Sequence, residues 1–319
     1  MRILLTIIIL LHLSILIFNI YFNEFNIFKN QYKNLHFNQA MLREFKPINL
    51  FLGDYEEVLL GSSIVADIEE DHSLFKNPFN YTLAGASLEE LNYQISMSNL
   101  DKDSVIYLFI QHYMVNDNYR DKEFKKKLIS QNNKLHILEL FLKNTIGIKV
   151  YSDYEVLKKY SLESENFIKK NGFDQINLNK LKNNPSKDLI LDNEKKFVNN
   201  TMNIKYSYEK NLKLIKKMNR DYSNIRIIFL PYNGRLQKYL KEYDIFDKYK
   251  DFREETISLS PYVFDFTNHN VFNSKDLDEI RLTHHDGVHL YPKYLSVILD
   301  DIKNCILNQK CSYNKLSIQ

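Results

Sequence analysis

A serine follows a strand-like run in the first third of the chain. The strand-like run Glu57-Val58-Leu59-Leu60 ends at Gly61-Ser62-Ser63. A serine at the turn from a strand into a helix can expose its hydroxyl above a sheet, and its own N–H then points toward developing negative charge. Gly-Ser-Ser is also an ordinary turn or helix cap. Ser63 is therefore a candidate nucleophile that needs a base from another part of the chain.

An Asp-x-x-His sequence near the C-terminus offers that base. Asp286 precedes His289 by three residues, and Gly287 between them permits a turn. On a loop before a helix, this spacing can place both side chains at one end of a sheet, where the carboxylate holds the imidazole that deprotonates a serine. A surface turn would give the same short pattern. Together with Ser63, however, it predicts a Ser-His-Asp site for acyl transfer, which requires no cofactor.

The same segment offers metal-like ligands. His284 and His285 lie beside Asp286 and His289, and His112 is a possible fifth ligand. Adjacent histidines on one loop rarely point at the same ion, and a metal site would leave Ser63 unexplained. We therefore favour acyl transfer and expect no metal.

Strand-like and helix-like segments alternate along the chain. Strands are predicted near residues 57–60, 79–83, 105–110, 225–230 and 262–266, with helices after Ser87, over 206–219 and from Pro292 onward. This alternation predicts an α/β fold with a parallel sheet covered by helices on both sides. The active sites of such sheets lie beyond the carboxyl ends of the strands. Ser63, Gly85 and Gln111 each follow a different predicted strand at that edge.

The N-terminus predicts attachment to a membrane. Residues 3–22 are almost wholly apolar, and their length matches a hydrocarbon core of roughly 30 Å. A cleaved signal peptide would have a shorter apolar region followed by small residues, whereas bulky residues follow here. Arg2 before the helix favours an extracytoplasmic location for the rest of the chain. We expect an anchor at 1–22, a stalk at 23–50 and an α/β domain at 51–319, with a helical insertion at about 118–204.

The composition is that of a globular protein. The 319 residues are 44% apolar and 26% charged, with a net charge of +3 and no basic stripe, which makes nucleic acid a poor candidate for a partner. Cys305 and Cys311 are the two cysteines. They would pair in an oxidising compartment, or they are two unrelated thiols with Cys305 on a buried helix face.

Three of these motifs together resemble the SGNH (GDSL-type) hydrolase family. In that family the nucleophile lies in a Gly-x-Ser motif after the first strand, which is similar to Gly61-Ser62-Ser63. A glycine after the second strand supplies an oxyanion-hole N–H, similar to Gly85, and an Asp-x-x-His motif before the last helix supplies the acid and base, similar to Asp286 and His289. The resemblance covers roughly residues 57–307 without the insertion. It implies a three-layer α/β/α, flavodoxin-like fold.

Two positions depart from the family pattern. Ser62 replaces the usual Asp, a variant that resembles membrane-anchored branches associated with teichoic acid D-alanylation and with acetylation of alginate-like polysaccharides. The Gly-x-Asn-Asp motif, whose Asn donates to the oxyanion, is not preserved. Asn116-Asp117 keeps the dipeptide but lies several residues late, while Gln111 lies at the better place. The resemblance thus implies an oxyanion hole formed by Ser63 and Gly85 with Gln111 or Asn116.

The expected function is a membrane-anchored serine esterase or O-acyltransferase. Water as the acceptor gives an esterase, and a sugar hydroxyl gives an acyltransferase. The resemblance implies an acyl ester or glycan substrate of the cell envelope, a polysaccharide or a glycolipid. The alternative is a non-catalytic envelope assembly factor that keeps the fold and binds glycan or a membrane acyltransferase.

Overall fold

The computed structural model describes most of the α/β part of the chain. The described residues are 2–22, 39–115, 138–139, 142, 167–168, 171–175, 187–202, 208–232, 234–260, 262–267, 289–290 and 292–308. The strands are β1 (Glu57–Ser62), β2 (Pro78–Leu83), β3 (Val105–Ile110), β4 (Phe167–Ile168), β5 (Asp174–Gln175), β6 (Asn224–Phe229) and β7 (Val263–Asp265). The helices are α1 (Arg2–Phe22), α2 (Gln39–Leu52), α3 (Leu88–Ser96), α4 (Lys187–Met202), α5 (Glu209–Asp221), α6 (Gly234–Glu242), α7 (Ile245–Ile257) and α8 (Pro292–Asn308).

Five of the strands form one parallel sheet in the order β2-β1-β3-β6-β7. From β1 the chain adds β2 on one side, and it then adds β3, β6 and β7 in turn on the other side. This reversal places a crevice at the carboxyl ends of β1 and β3, where doubly wound folds bind ligands. The expected α/β fold with a parallel sheet is confirmed.

The strands are apolar because both faces of the sheet are covered. Every residue of β1 and β2 is buried, and all but the first residue of β3 is buried. A strand buried on both faces needs a continuous apolar run rather than an alternating one. Helix α3 contacts α5, α5 contacts α7, and α7 contacts α6. Helix α8 adds Leu295, Ile298 and Ile302 to the core.

The first helix exposes leucine and isoleucine side chains along its length, including Ile3, Leu10 and Ile17. Within the described residues, no helix meets the combined length and apolarity needed to cross a membrane. The transmembrane helix expected over residues 3–22 is therefore not found there.

Part of the expected stalk is a packed helix. Helix α2 contacts the edge strand β2, and its residues Lys46, Ile48 and Leu50 are buried. The Nζ atom of Lys46 donates to the carbonyl oxygen of Thr82 at 2.8 Å. Because a buried ammonium needs acceptors, this contact ties α2 to the end of β2. Residues 39–52 thus form a helix that packs against the sheet.

The segment expected as a helical insertion contains helix α4 and a short antiparallel pair, β4 and β5. The turn between these two strands reaches the free edge of the main sheet, where the Asn80 N–H donates to the Asn171 carbonyl oxygen at 2.8 Å. Gly172 follows with φ +79°, and a Cβ atom there would lie 2.3 Å from the Asn80 carbonyl oxygen. Glycine is required at this close approach.

Candidate active site

The turn after β1 places Ser63 at the carboxyl edge of the sheet. The chain leaves the strand at Ser62 and enters a single 3-10 turn at 63–65. Ser62 is extended and caps this turn, since its Oγ atom accepts from the Ile64 N–H at 3.4 Å. Gly61 permits the tight packing beneath, because a Cβ atom there would lie 2.6 Å from Cγ2 of Val65. Ser62 is buried and Ser63 is half-buried, so the second hydroxyl is the one that reaches the surface of the crevice.

His289 lies beside this hydroxyl. Its Nε2 atom is 2.8 Å from Oγ of Ser63, although the two residues are 226 positions apart in sequence. His289 directly precedes the buried Leu290, whose burial fixes the segment that leads into α8. With the proton on Nδ1, Nε2 accepts a hydrogen bond from the serine hydroxyl, which is the geometry a general base requires. The structure therefore brings together the predicted nucleophile and the predicted base.

The turn after β2 faces the same edge. Ser62 pairs with Leu83 in the register of β1 and β2, so the residues that follow each strand lie side by side. A hydrogen bond of 3.1 Å from the Ala86 N–H to the Leu83 carbonyl oxygen closes the turn, and Gly85 adopts φ +59° within it. This left-handed conformation favours glycine. Among the described residues, neither the N–H of Ser63 nor that of Gly85 donates a hydrogen bond to the protein. Both are thus available to bind an anion.

Gln111 follows β3 at the same edge. Leu60 pairs with Leu108, and continuing this register places Ile110 beside Ser62 and Gln111 beside Ser63. The side chain of Gln111 is fully buried, yet neither its Nε2 nor its Oε1 atom has a partner in the described part of the chain. Leaving a buried amide unpaired is costly. An amide N–H without a partner among the described residues, at the sheet edge that carries the nucleophile, fits the role of a third oxyanion donor.

Tyr113 is a site residue that the sequence did not reveal. It lies in a second 3-10 turn at 112–115, and its hydroxyl donates to Oγ of Ser62 at 2.6 Å. Both side chains are buried. Because Ser62 directly precedes the nucleophile, this contact fixes the turn after β1 to the turn after β3. A tyrosine after an apolar strand carries no local signal for such a role.

His112 is buried in the core and hydrogen-bonded there. Its Nδ1 atom lies 2.6 Å from the hydroxyl of Tyr232, whose oxygen also accepts from the His112 N–H at 3.0 Å. The rings of Tyr113, Phe197 and Tyr249 surround the imidazole. Burial lowers the pKa of His112 from 6.5 to about 3, because the charged ring would lose its hydration. His112 is therefore a neutral core residue.

Four of the predicted site residues lie outside the described part of the chain: Asp286, Asn116, His284 and His285. Asp286 as the acid of the triad and Asn116 as an oxyanion donor stay predictions. Within the described ranges, no group of three or more potential ligands could hold a metal ion. His112, the possible extra ligand of the metal alternative, is engaged with Tyr232.

The arrangement can carry out nucleophilic acyl substitution. A hydroxyl is hydrogen-bonded to an imidazole, and a buried amide and two backbone N–H groups without an acceptor among the described residues lie at the same sheet edge. Comparison of the chain with protein-family models, with curated proteins and with solved structures finds no match. The geometry is thus the basis for any functional conclusion.

Proposed function

We propose that this protein is a serine esterase or O-acyltransferase that works through a covalent serine ester. One observation carries the proposal: Nε2 of His289 lies 2.8 Å from the half-buried hydroxyl of Ser63 at the carboxyl edge of a parallel sheet. A nucleophile and a base within hydrogen-bonding distance support covalent acyl transfer more strongly than either residue alone.

The reaction has two halves. In the first, Oγ of Ser63 attacks the ester carbonyl while its proton moves to Nε2 of His289; the C–O bond of the ester then breaks, and the imidazolium returns the proton to the leaving alcohol. In the second, His289 deprotonates water or a sugar hydroxyl, which attacks the acyl-serine; the bond from the acyl carbon to Oγ then breaks, and the imidazolium returns the proton to Oγ of Ser63. The N–H groups of Ser63 and Gly85, with the amide of Gln111, stabilise the oxyanion in both halves. Asp286 orients the imidazole, as in other Ser-His-Asp sites.

The finer assignment is an SGNH-type, three-layer α/β/α hydrolase. Its support is the resemblance of Gly61-Ser62-Ser63, Gly85 and the Asp-x-x-His motif to that family, together with the sheet order around Ser63. The substrate that follows from the resemblance is an acyl ester of a cell-envelope polysaccharide or glycolipid. This step rests on analogy with membrane-anchored branches of the family.

The proposed location is a membrane surface outside the cytoplasm, with helix α1 as the attachment. Two observations support it. The apolar side chains of α1 are exposed and have no cover among the described residues. Cys305 is disulfide-bonded, which is typical of proteins in an oxidising compartment. Alkaline extraction of membranes tests the attachment: the full chain is expected to stay with the lipid, and release into the supernatant would contradict it.

A fluorophosphonate probe tests the proposed chemistry. The full-length wild type is expected to form an adduct that mass spectrometry places on Ser63. Ser63→Ala should abolish labelling, and His289→Gln should slow it by at least about 100-fold because the base is lost. Ser223→Ala is the matched control, since it removes a hydroxyl just before β6, at the amino end of the sheet, and should leave the adduct on Ser63.

A folded wild type that forms no adduct would contradict the enzymatic proposal. That result would favour the alternative, a non-catalytic envelope factor that binds glycan or a membrane acyltransferase. The departure from Gly-x-Asn-Asp is the sequence observation in favour of this alternative.

A further inference from the structure

The peptide unit between Ala84 and Gly85 is held from outside the sheet by an arginine. Nη2 of Arg43 donates to the Ala84 carbonyl oxygen at 3.0 Å. Arg43 lies on α2, before the first strand, and is 41 residues from Ala84 in sequence. A helix that precedes the α/β core thus reaches the turn that carries a proposed oxyanion donor.

The arginine is itself held in place by a carboxylate. Its Nε donates to Oε1 of Glu90 at 2.7 Å, and its Nη2 is 3.3 Å from Oε2 of the same residue. The Glu90 side chain is 3% exposed and that of Arg43 is 18% exposed. A two-point contact with a buried carboxylate fixes the plane of the guanidinium, which a lysine could not achieve. Glu90 in turn lies in the first turn of α3, where its N–H donates to Oγ of Ser87.

A trans peptide bond links the position of Arg43 to the direction of the Gly85 N–H. The C=O of Ala84 and the N–H of Gly85 belong to one planar unit and point in opposite directions. Fixing the carbonyl toward Arg43 therefore fixes the N–H toward the opposite side of the turn. A cationic donor on the carbonyl also polarises the peptide unit and strengthens its N–H as a donor.

We infer that Arg43 and Glu90 are positioning residues for the oxyanion hole, acting through the Ala84–Gly85 peptide. Gly85 at φ +59° has unusual backbone freedom, so its peptide can rotate unless it is held. The ion pair removes this freedom without touching substrate. The inference rests on the proposed acyl transfer and adds to it a group outside the triad that sets the strength of the anion site.

A pair of esters that differ at the carbonyl atom provides the test. The rates for p-nitrophenyl acetate and its thionoacetate analogue are compared in the full-length protein, because the sulfur anion accepts hydrogen bonds poorly and gains little from an oxyanion hole. The ratio of kcat/KM for the two esters thus reports on the N–H donors and not on Ser63 or His289. Arg43→Gln is expected to lower kcat/KM for the oxygen ester by about 10- to 100-fold, somewhat less than the loss of a whole donor. The thionoester should change much less, so the ratio should fall.

Lys210→Gln is the matched control. Lys210 pairs with Glu89 on the same helix α3, with Nζ 2.7 Å from Oε2, so this cation binds the carboxylate next to Glu90 and not the one that holds Arg43. The control should leave both rates and their ratio unchanged. Glu90→Gln should shift the ratio in the same direction as Arg43→Gln, because it releases the guanidinium. If Arg43→Gln does not fold, Arg43→Lys replaces it, and its ratio is expected to fall as well.

The outcomes distinguish a failure of the proposed function from a failure of the role inferred for Arg43. A wild type that hydrolyses neither ester and is not labelled by fluorophosphonate would contradict the proposed function itself. A wild type that is active, with both rates reduced equally by Arg43→Gln, would show that Arg43 supports only the fold. An unchanged ratio in the variants at Arg43 and Glu90 would overturn the inference in the same way.

Discussion

The hydroxyl of Tyr113 lies 2.6 Å from Oγ of Ser62, the residue that directly precedes the proposed nucleophile. Ser62 in turn accepts from the Ile64 N–H and so holds the 3-10 turn that begins at Ser63. The contact joins the ends of β1 and β3, neighbouring strands whose connection runs through β2 and α3. The position of the nucleophile therefore depends on a buried side-chain contact that does not include the nucleophile.

Tyr113→Phe is expected to lower the free energy of unfolding by about 1–2 kcal/mol, because Ser62 loses a buried hydrogen bond. Urea denaturation measures this loss. Tyr93→Phe is the matched control, since the Tyr93 hydroxyl is buried without a partner among the described residues. Its removal should leave stability unchanged or increase it. Equal losses in the two variants would show that the contact with Ser62 does not stabilise the fold.

Gly61→Ala is expected to destabilise the turn after β1. The new Cβ atom would lie 2.6 Å from Cγ2 of Val65 and 3.3 Å from Cβ of Phe109, both buried core residues. Overpacking of this kind costs about 1–3 kcal/mol. Val65→Ala removes the closest atom, so the double variant should lose less stability than the sum of the two single variants. Additive losses in thermal denaturation would contradict this account.

The sheet was predictable because burial on both faces imposes a pattern that can be read locally. Strand β3 coincides with the predicted run 105–110, and β6 differs from its prediction by one residue at each end. Helix α3 begins after Ser87, as its cap and first-turn acids indicate. These elements were visible because the signal lies within a few adjacent residues.

The residues that hold the site in place were not predictable, because their contacts join distant parts of the chain. Arg43 and Glu90 are polar residues on helices, and their local sequence is that of a solvated surface. Residues 23–50 were expected to form a stalk because they are polar and aromatic, yet Arg43 and Lys46 within them donate to carbonyl oxygens at the end of β2. Contacts between residues so far apart in the chain produce no local spacing pattern that a single sequence could reveal. Ser63 and His289 were predictable because their two short motifs, each unspecific alone, occur with Gly85 in the order and at the elements of a known family.

Gln111→Met is expected to separate stability from activity. The Gln111 amide is fully buried and has no partner in the described part of the chain, so an apolar side chain of similar volume should raise the free energy of unfolding by about 1–2 kcal/mol. If the amide donates to the oxyanion, the same change should lower the rate of ester hydrolysis by about 100-fold.

Gln94→Met is the matched control for this substitution. Gln94 is also buried, but its Oε1 atom accepts from the Tyr81 hydroxyl at 2.9 Å. Its replacement leaves that hydroxyl unpaired and should lower stability without a specific effect on the rate. A Gln111→Met variant that keeps the full rate would exclude Gln111 as an oxyanion donor.

Acid should destabilise the protein through His112. Burial lowers the pKa of this ring to about 3 in the folded chain, whereas the unfolded chain has the ordinary value of 6.5. Between these values the unfolded chain binds a proton that the folded chain does not, so a fall in pH favours unfolding. The stabilising effect of the neutral ring is complete above pH 6.5 and is lost progressively as the pH falls toward 3. Urea titrations at pH 6.5, 5.5 and 4.5 measure the slope of unfolding free energy against pH.

His112→Gln is expected to reduce this slope by up to about 1.4 kcal/mol per pH unit, the value for one bound proton. Tyr232→Phe is the control that tests the cause. It removes the hydrogen bond to Nδ1 but keeps the imidazole buried among the rings of Tyr113, Phe197 and Tyr249. Because desolvation and not this hydrogen bond lowers the pKa, Tyr232→Phe should retain the wild-type slope even though its stability falls at every pH. Should His112→Gln keep the full slope, the acid sensitivity would have to come from other groups, and the ring would not be the buried neutral residue that its surroundings require.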